Sequence, residues 1–391
     1  MKRTRLIVLV IYLFQLSCGG GGSGGSSSGG NDQLPPPSAN PLVVGSSQVN
    51  QNTYLYTANY YSNNVSGYSV DSGSGELTPL PGFPVPAGNG PSNVIFDPTQ
   101  RFVYVSDFSG GTVSGFAINP VTGALVAAPG SPFPCESNPQ QLTIDPSGKF
   151  AYVANYGSNS VSAYTIDQKT GALSAVSGSP FNTGGGPVSI AIDNASHFLY
   201  VTNITGNSVS AYSINGTSGA LSSLPGSPYS ENGGPWVASL DPSGNFLYVS
   251  NWNGNSVSAY QVNPSTGTLT NIVGSPFTTG SQPDGVTVDP SGKFIYVANY
   301  GSNNVSAFFI NPVSGALTEI TGSPFQAGLQ ANWVSFDPTG LFAYVANWTD
   351  NSVSAYSKDP NTGILTELEN SPYSSGGAPN SIDVVDEPDH Q

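Results

Sequence analysis

Side chains able to do chemistry are scarce in this chain and unevenly placed. Beyond the first 18 residues the cations are Arg101, Lys149, Lys169, Lys293 and Lys358, the histidines are His197 and His390, and the cysteine is Cys135. Against them stand 23 acidic residues, which give the whole chain a net charge of −15. Such a set supplies general acids, general bases and oxygen ligands for a hard cation such as Ca²⁺. It supplies no phosphate clamp and no basic footprint, so nucleic acid is excluded as a partner. Serines abound, but no G-x-S-x-G elbow leads from a strand into a helix, and Cys135 has no histidine near it in sequence, so it reads as an inert, partly buried thiol. The four tryptophans, Trp236, Trp252, Trp333 and Trp348, are the other chemical resource. Exposed aromatics beside Asn and Ser stack on sugar rings or anchor a peptide.

The elements that hold these residues are written as a repeat. Segments of the type Tyr152–Tyr164 begin at Tyr56, Tyr104, Tyr152, Tyr200, Tyr248, Tyr296 and Tyr344, each 48 residues after the last. A fixed period of this length means one supersecondary unit stacked on its own copies. Within one period, Gln141–Ile144 reads as a strand ended by Asp145-Pro146-Ser147-Gly148, a type I turn. Phe150–Ala154 and Val161–Ile166 are aromatic and β-branched strands flanking a polar loop, and Leu173–Val176 is a weaker fourth. Four up-and-down strands per unit predict an all-β, seven-bladed propeller of four-stranded antiparallel blades over residues 42–386. The first copy lacks a leading strand, and Pro379–Val385 falls in register with one, so the C-terminal strand is predicted to close the ring. Pro41–Gly45 is the rival for that place.

The repeat is its own control. Residues present in every copy answer to the architecture; a function that is not sevenfold sits where copies differ. Differences collect on one face, formed by the loops between second and third strands and the loops entering each blade. The residues expected to bind a ligand there are Trp236, Trp252, Trp333, Trp348, Asp107 and Asp284. The recurring aromatics Tyr60, Tyr61, Phe108, Tyr156 and Tyr300 read as packing wedges between blades. In the recurring Asn59, Asn155, Asn203, Asn251, Asn299 and Asn347, the side chain is expected to tie off backbone at the strand end; Asp107 is the one acidic substitute. Asp284, Glu136, Glu231 and Asp350 add carboxylates to the same face. Together they could bind a cation such as Ca²⁺, but their spacing matches no known loop, so no metal site and no cofactor are expected. Arg101, Lys149, His197 and Lys293 share one repeat position at the opposite end of the blades.

Residues 1–18 read as an export signal. Lys2, Arg3 and Arg5 precede an apolar run, Leu6–Leu16, too short to span a bilayer. The run ends in Ser17-Cys18, which resembles a bacterial lipoprotein processing site with Cys18 as the lipidated residue; plain secretion is the alternative. Residues 19–41, rich in Gly, Ser and Pro, form a flexible tether reaching roughly 25 Å. Residues 387–391 read as a disordered tail. The expectation is therefore an exported, monomeric outer-membrane lipoprotein facing the periplasm or the cell surface, touching the membrane only through its anchor.

The motifs Tyr152-Val153-Ala154-Asn155, Val161-Ser162-Ala163-Tyr164, Thr170-Gly171-Ala172-Leu173 and Gly178-Ser179-Pro180-Phe181 resemble the lactonase-type seven-bladed propellers over about residues 45–385. That group includes propeller-type 6-phosphogluconolactonases and YVTN-repeat surface proteins. The resemblance implies the fold, and for its enzymatic members His, Arg and Glu at the mouth of the central channel. This chain departs from that set, and no catalytic residue carries over. The sequence alone favours a carbohydrate- or protein-binding scaffold using the tryptophan face, with a lactone hydrolase as the alternative.

Overall fold

The computed structural model describes residues 53–385, apart from residue 232. The segments at 1–18 with Cys18, 19–41 and 387–391, and the strand candidate Pro41–Gly45, lie outside the described residues.

Every described element is a strand, and the strands form seven antiparallel sheets in a ring. A representative blade runs from an inner strand, Pro139–Ile144, through Phe150–Asn155 and Ser160–Ile166 to an outer strand in two pieces, Leu173–Ala175 and Phe181–Asn182, both paired with Ser160–Ile166. The expected four-stranded blade is thus present, with its outer strand broken by the Gly178-Ser179-Pro180 turn. Gly178 sits at φ +88° and the Ser179–Pro180 bond is cis. Proline has no N–H to offer the ladder, so the strand stops there and resumes one turn later.

Ring closure follows the sequence expectation. Pro379–Val385 pairs antiparallel with Thr53–Asn59 as the inner strand of the first blade. It also bonds forward into the next blade, where Val94 N–H donates to Ser381 Oγ (2.8 Å) and Phe96 N–H to Asp383 Oδ2 (3.1 Å). The same stitch recurs around the ring. Leu142 N–H donates to Asn93 Oδ1, Ile190 N–H to Gln141 Oε1 and Ala238 N–H to Ser189 Oγ. Inner-strand edges have no neighbouring strand across the channel, and these side chains satisfy their free N–H groups.

The recurring motifs explain the blade contacts. The buried tyrosine of each second strand donates to the carbonyl of a turn glycine in the following blade, as Tyr152 OH to Gly219 (2.9 Å), and Tyr344 OH to Gly75 (2.9 Å) carries the series across the closure. The glycine is needed: Gly171 has φ +72°, and a Cβ there would lie 2.4 Å from Phe102 Cδ1. Each turn aspartate caps its hairpin, with Phe150 N–H donating to Asp145 Oδ1 at 2.7 Å. The Asn positions do more than the expected tying of backbone. Asn347 Oδ1 accepts from Gly328 N–H at 3.0 Å as expected, but Asn155 Nδ2 donates to the hydroxyls of Ser160 and Ser162, at 3.1 and 2.9 Å, so the column also ties strand to strand through side chains. One blade interface carries a buried ion pair, Lys358 Nζ to Asp289 Oδ2 at 2.9 Å, so that lysine is withdrawn from the surface.

Candidate functional site

The inner strands carry the feature that builds the site. In all seven, the register with the second strand slips just after the first residue, so one extra residue is left over: a β-bulge. A bulge re-aims a side chain out of the normal alternation. The bulged position is occupied around the ring by Ser92, Gln140, Val188, Trp236, Asp284, Asn332 and Asn380. Six residue types in seven copies make this one of the least repetitive positions of the repeat. All but Val188 line a funnel of about 330 Å³ at the mouth of the central channel.

Above this polar ring lies an aromatic one, from the position after the strand-two Asn, which Trp236 joins from the bulge. Trp236, Trp252 and Tyr300 form one arc, with ring centroids 5.2 Å apart at each step. Tyr156, Phe108, Tyr60 and Trp348 form a second, with centroids 5.4–6.2 Å apart. Tyr61 packs on Trp348 at 5.4 Å and is 69 % exposed, and Tyr156 is 38 % exposed. Tyr60, Tyr61, Phe108, Tyr156 and Tyr300, read from sequence as blade wedges, stack on one another or on the tryptophans around the opening.

Asp284 is the carboxyl of the funnel lining. Trp236 Nε1–H donates to its Oδ1 at 2.6 Å. The carboxyl is sunk among protein atoms while the residue still borders the lumen; burial pushes its pKa up to about 8, and the indole bond only partly offsets this. The backbone beneath it is pinned, since Ser250 Oγ donates to the Asp284 carbonyl at 2.6 Å. The same device holds Gln140, through Ser106 Oγ at 2.7 Å, and Trp236, through Thr202 Oγ1. The four other blades carry Ala58, Ala154, Ala298 and Ala346 at that position. Hydroxyls therefore stand behind three neighbouring or near-neighbouring lining residues and nowhere else in the repeat.

Asn332 adds a directed acceptor. Its Nδ2 donates to Asn380 O and Oδ1, both at 3.1 Å, while its buried Oδ1 has no partner. An unpaired buried carbonyl oxygen bordering a cavity is a ready acceptor for a ligand hydroxyl. Below the funnel a slot of about 30 Å³, bordered by Ser92, Asp284, Asn380 and Trp333, is large enough for a water molecule.

The predicted site residues thus part company. Trp236, Trp252, Trp348 and Asp284 meet at the funnel. Trp333 lies one residue beyond the bulge, bordering the slot and packed against two blade cores. Asp107 differs from the expected exposed residue. It is fully buried, accepting from Thr112 Oγ1 and Ser114 Oγ (2.8 Å each) and Gly88 N–H (3.0 Å), and burial raises its pKa to about 6. Glu231 also points inward, to the hydroxyls of Ser258 and Tyr260. Cys135 stands at the repeat position of Thr183 and, like it, donates to a strand-two Asn, so the thiol is a hydroxyl substitute. Among the described residues no three of His, Cys, Asp and Glu converge as a metal-ligand set. Sequence reasoning missed Ser92, Gln140, Asn332 and Asn380, although their variety at one repeat position was the available signal.

The profile of the family described as "Lactonase, 7-bladed beta-propeller" matches residues 47–239 and 228–336. The chain belongs to this family. No curated protein matches it. Among solved structures, the propeller resembles a candidate 6-phosphogluconolactonase from Bacteroides fragilis, with TM-score 0.75 and 21 % identity over 87 % of this chain and 99 % of that one. It also resembles the periplasmic gluconolactonase of Pseudomonas aeruginosa, with TM-score 0.73 and 19 % identity over 86 % of this chain and 100 % of that one. Arg101, Lys149, His197 and Lys293 belong to the hairpins at the far ends of the blades, and among the described residues no cation borders the funnel.

Proposed function

We propose that the protein hydrolyses an uncharged lactone in the funnel, with Asp284 as the general base and acid. The observation that carries this is the single carboxyl of the lining, recessed, held by Trp236 and raised to about 8. A general base works best with a pKa near the working pH. The Asp284 carboxylate takes a proton from a water in the slot beneath it, and that water attacks the lactone carbonyl carbon. The same carboxyl then returns the proton to the ring oxygen as the acyl C–O bond breaks, leaving a hydroxy acid. The amide group of Gln140 borders the same space and is a donor available to the developing oxyanion. Ring faces of Trp252 and Tyr300 suit the C–H faces of a sugar-derived lactone, whereas a phosphate would meet no counter-charge. Family membership and the likeness to gluconolactonases support this reading over a pure scaffold. The likeness to a periplasmic enzyme and the Cys18 start support placing the activity outside the cytoplasm.

Acid release from glucono-1,5-lactone and from its 6-phosphate, each corrected for spontaneous opening, tests the proposal. The uncharged lactone should turn over faster, and Asp284→Asn should lower kcat at least about 100-fold. Rates at background for every lactone would leave the two aromatic arcs as a carbohydrate-binding mouth without turnover. An Asp284→Asn enzyme with undiminished kcat would remove the assigned base.

A further inference from the structure

The mouth of the propeller is lopsided, in a way its sevenfold repeat does not require. Each loop entering a blade turns through one residue in the left-handed region just before the inner strand. Three copies use glycine there: Gly90 (φ 65°), Gly186 (φ 62°) and Gly234 (φ 66°). Two adjacent copies use glutamine, Gln282 (φ 51°) and Gln330 (φ 58°). A long side chain in this conformation is strained against the glycine that sister blades show to be sufficient. The residue before Gln330 is Leu329, 49 % exposed, where other copies have Gly, Ser or Asn. These three side chains and Tyr300 border a second cavity of about 360 Å³ on the rim. Tyr300 also borders the central funnel, so the two spaces adjoin across one aromatic ring. The wall is fixed rather than loose. Gln330 N–H donates to Asn303 Oδ1 at 2.7 Å, Gln282 N–H to Asn255 Oδ1 at 2.9 Å and Leu329 N–H to Asp350 Oδ2 at 2.6 Å.

We infer that this rim cavity is a second sugar subsite, and that the substrate is an oligosaccharide whose terminal unit is the lactone; this rests on the lactonase reading above. Thr349 Oγ1 donates to Gln330 Oε1 and so orients that carboxamide; its N–H groups and the Gln282 carboxamide are left to meet hydroxyls, and Leu329 with Tyr300 supplies apolar surface for a pyranose face, the usual make-up of a neutral sugar site. A ligand filling only the funnel leaves this subsite unused; a glycosidic extension leaving the funnel over Tyr300 fills it. Such a lactone is made by two-electron oxidation of the terminal hemiacetal carbon of an oligosaccharide, so an oxidase or dehydrogenase acting on reducing ends must supply it.

The test compares cellobiono-1,5-lactone with glucono-1,5-lactone on the full chain, wild type and Gln282→Gly/Gln330→Gly. Glycine is what sister blades carry, so the variant should melt no lower than wild type. Wild type should favour the disaccharide lactone at least tenfold in kcat/KM, and the variant should bring that ratio to within about threefold of one. Equal use of both lactones by wild type, or an unchanged ratio in the variant, overturns the subsite. Calorimetric binding of cellobionate and gluconate separates this outcome from failure of the lactonase reading. If no lactone turns over, tighter binding of cellobionate that the variant loses upholds the subsite alone, and equal binding of the two acids overturns it.

Discussion

Ser250 sits on the boundary between fold and function. Its hydroxyl donates to the Asp284 carbonyl at 2.6 Å and accepts from Val237 N–H at 3.0 Å, so it fixes the bulge that aims Asp284 into the funnel. Alanine at this position serves four other blades, so Ser250→Ala removes about 1 kcal/mol of hydrogen bonding and leaves the sheet intact. We expect kcat for lactone opening to fall about tenfold with KM little changed, since catalysis is sensitive to sub-ångström placement. Steady-state kinetics beside a thermal melt checks this; a KM effect alone, or a melt lowered in proportion to activity, would assign Ser250 to architecture. At this scale the sequence was only partly readable. Trp236 and Asp284 stood out as departures from the repeat, but so did Asp107 and Glu231, which the fold buries. A departure from a repeat marks a position as different without saying which way its side chain points. The bulge is the reason: strand parity assigns alternate residues to alternate faces, and one extra residue at the start of every inner strand breaks that count where the site lies.

At the scale of elements the period made nearly everything legible. Strand order within a blade, the turns and the closing strand all followed from spacing, because a repeat without insertions leaves one register to consider. The split outer strand was not evident, since propensity does not say on which side of a Gly-Ser-Pro turn pairing resumes. The closing strand carries the heaviest structural duty of any element. Pro379–Val385 covers the inner edge of Thr53–Asn59 and bonds to Val94 and Phe96 of the next blade. Ending the chain at Ala378 should uncover two sheet edges at once. The truncated protein should lose its single cooperative melt and elute largely as aggregate on size exclusion, as unpaired edges template intermolecular pairing. A monomer melting within a few degrees of the full chain would show that the ring holds without its clasp.

The whole molecule carries its charge in two opposed populations. Exposed turn aspartates such as Asp71, Asp167 and Asp359 accept several backbone N–H bonds, led by that of the residue two or three positions on, which hold their pKa below the ordinary value. The stability they add is present above that ordinary value, about 3.8, and is lost as pH falls. Asp107, Asp383 and Asp284 do the reverse, burial raising them to about 6, 7 and 8 from 3.8. Between pH 4 and 8 the folded state holds protons on these groups that the unfolded chain has released, so stability falls as pH rises through the window. The two trends cross to give greatest stability at about pH 4, and a melting temperature several degrees lower at pH 8.5 than at pH 5. Self-repulsion of a chain with net charge −15 acts in the same direction, but it can be told apart. Exposed carboxylates finish ionising by about pH 6, and their repulsion is screened by salt. The loss between pH 6 and 8.5 should therefore persist in 1 M NaCl and shrink in Asp284→Asn/Asp383→Asn, in which the two highest-lying protons no longer exist. A decline abolished by salt, or undiminished in that variant, would place the pH response on the surface instead of in the channel.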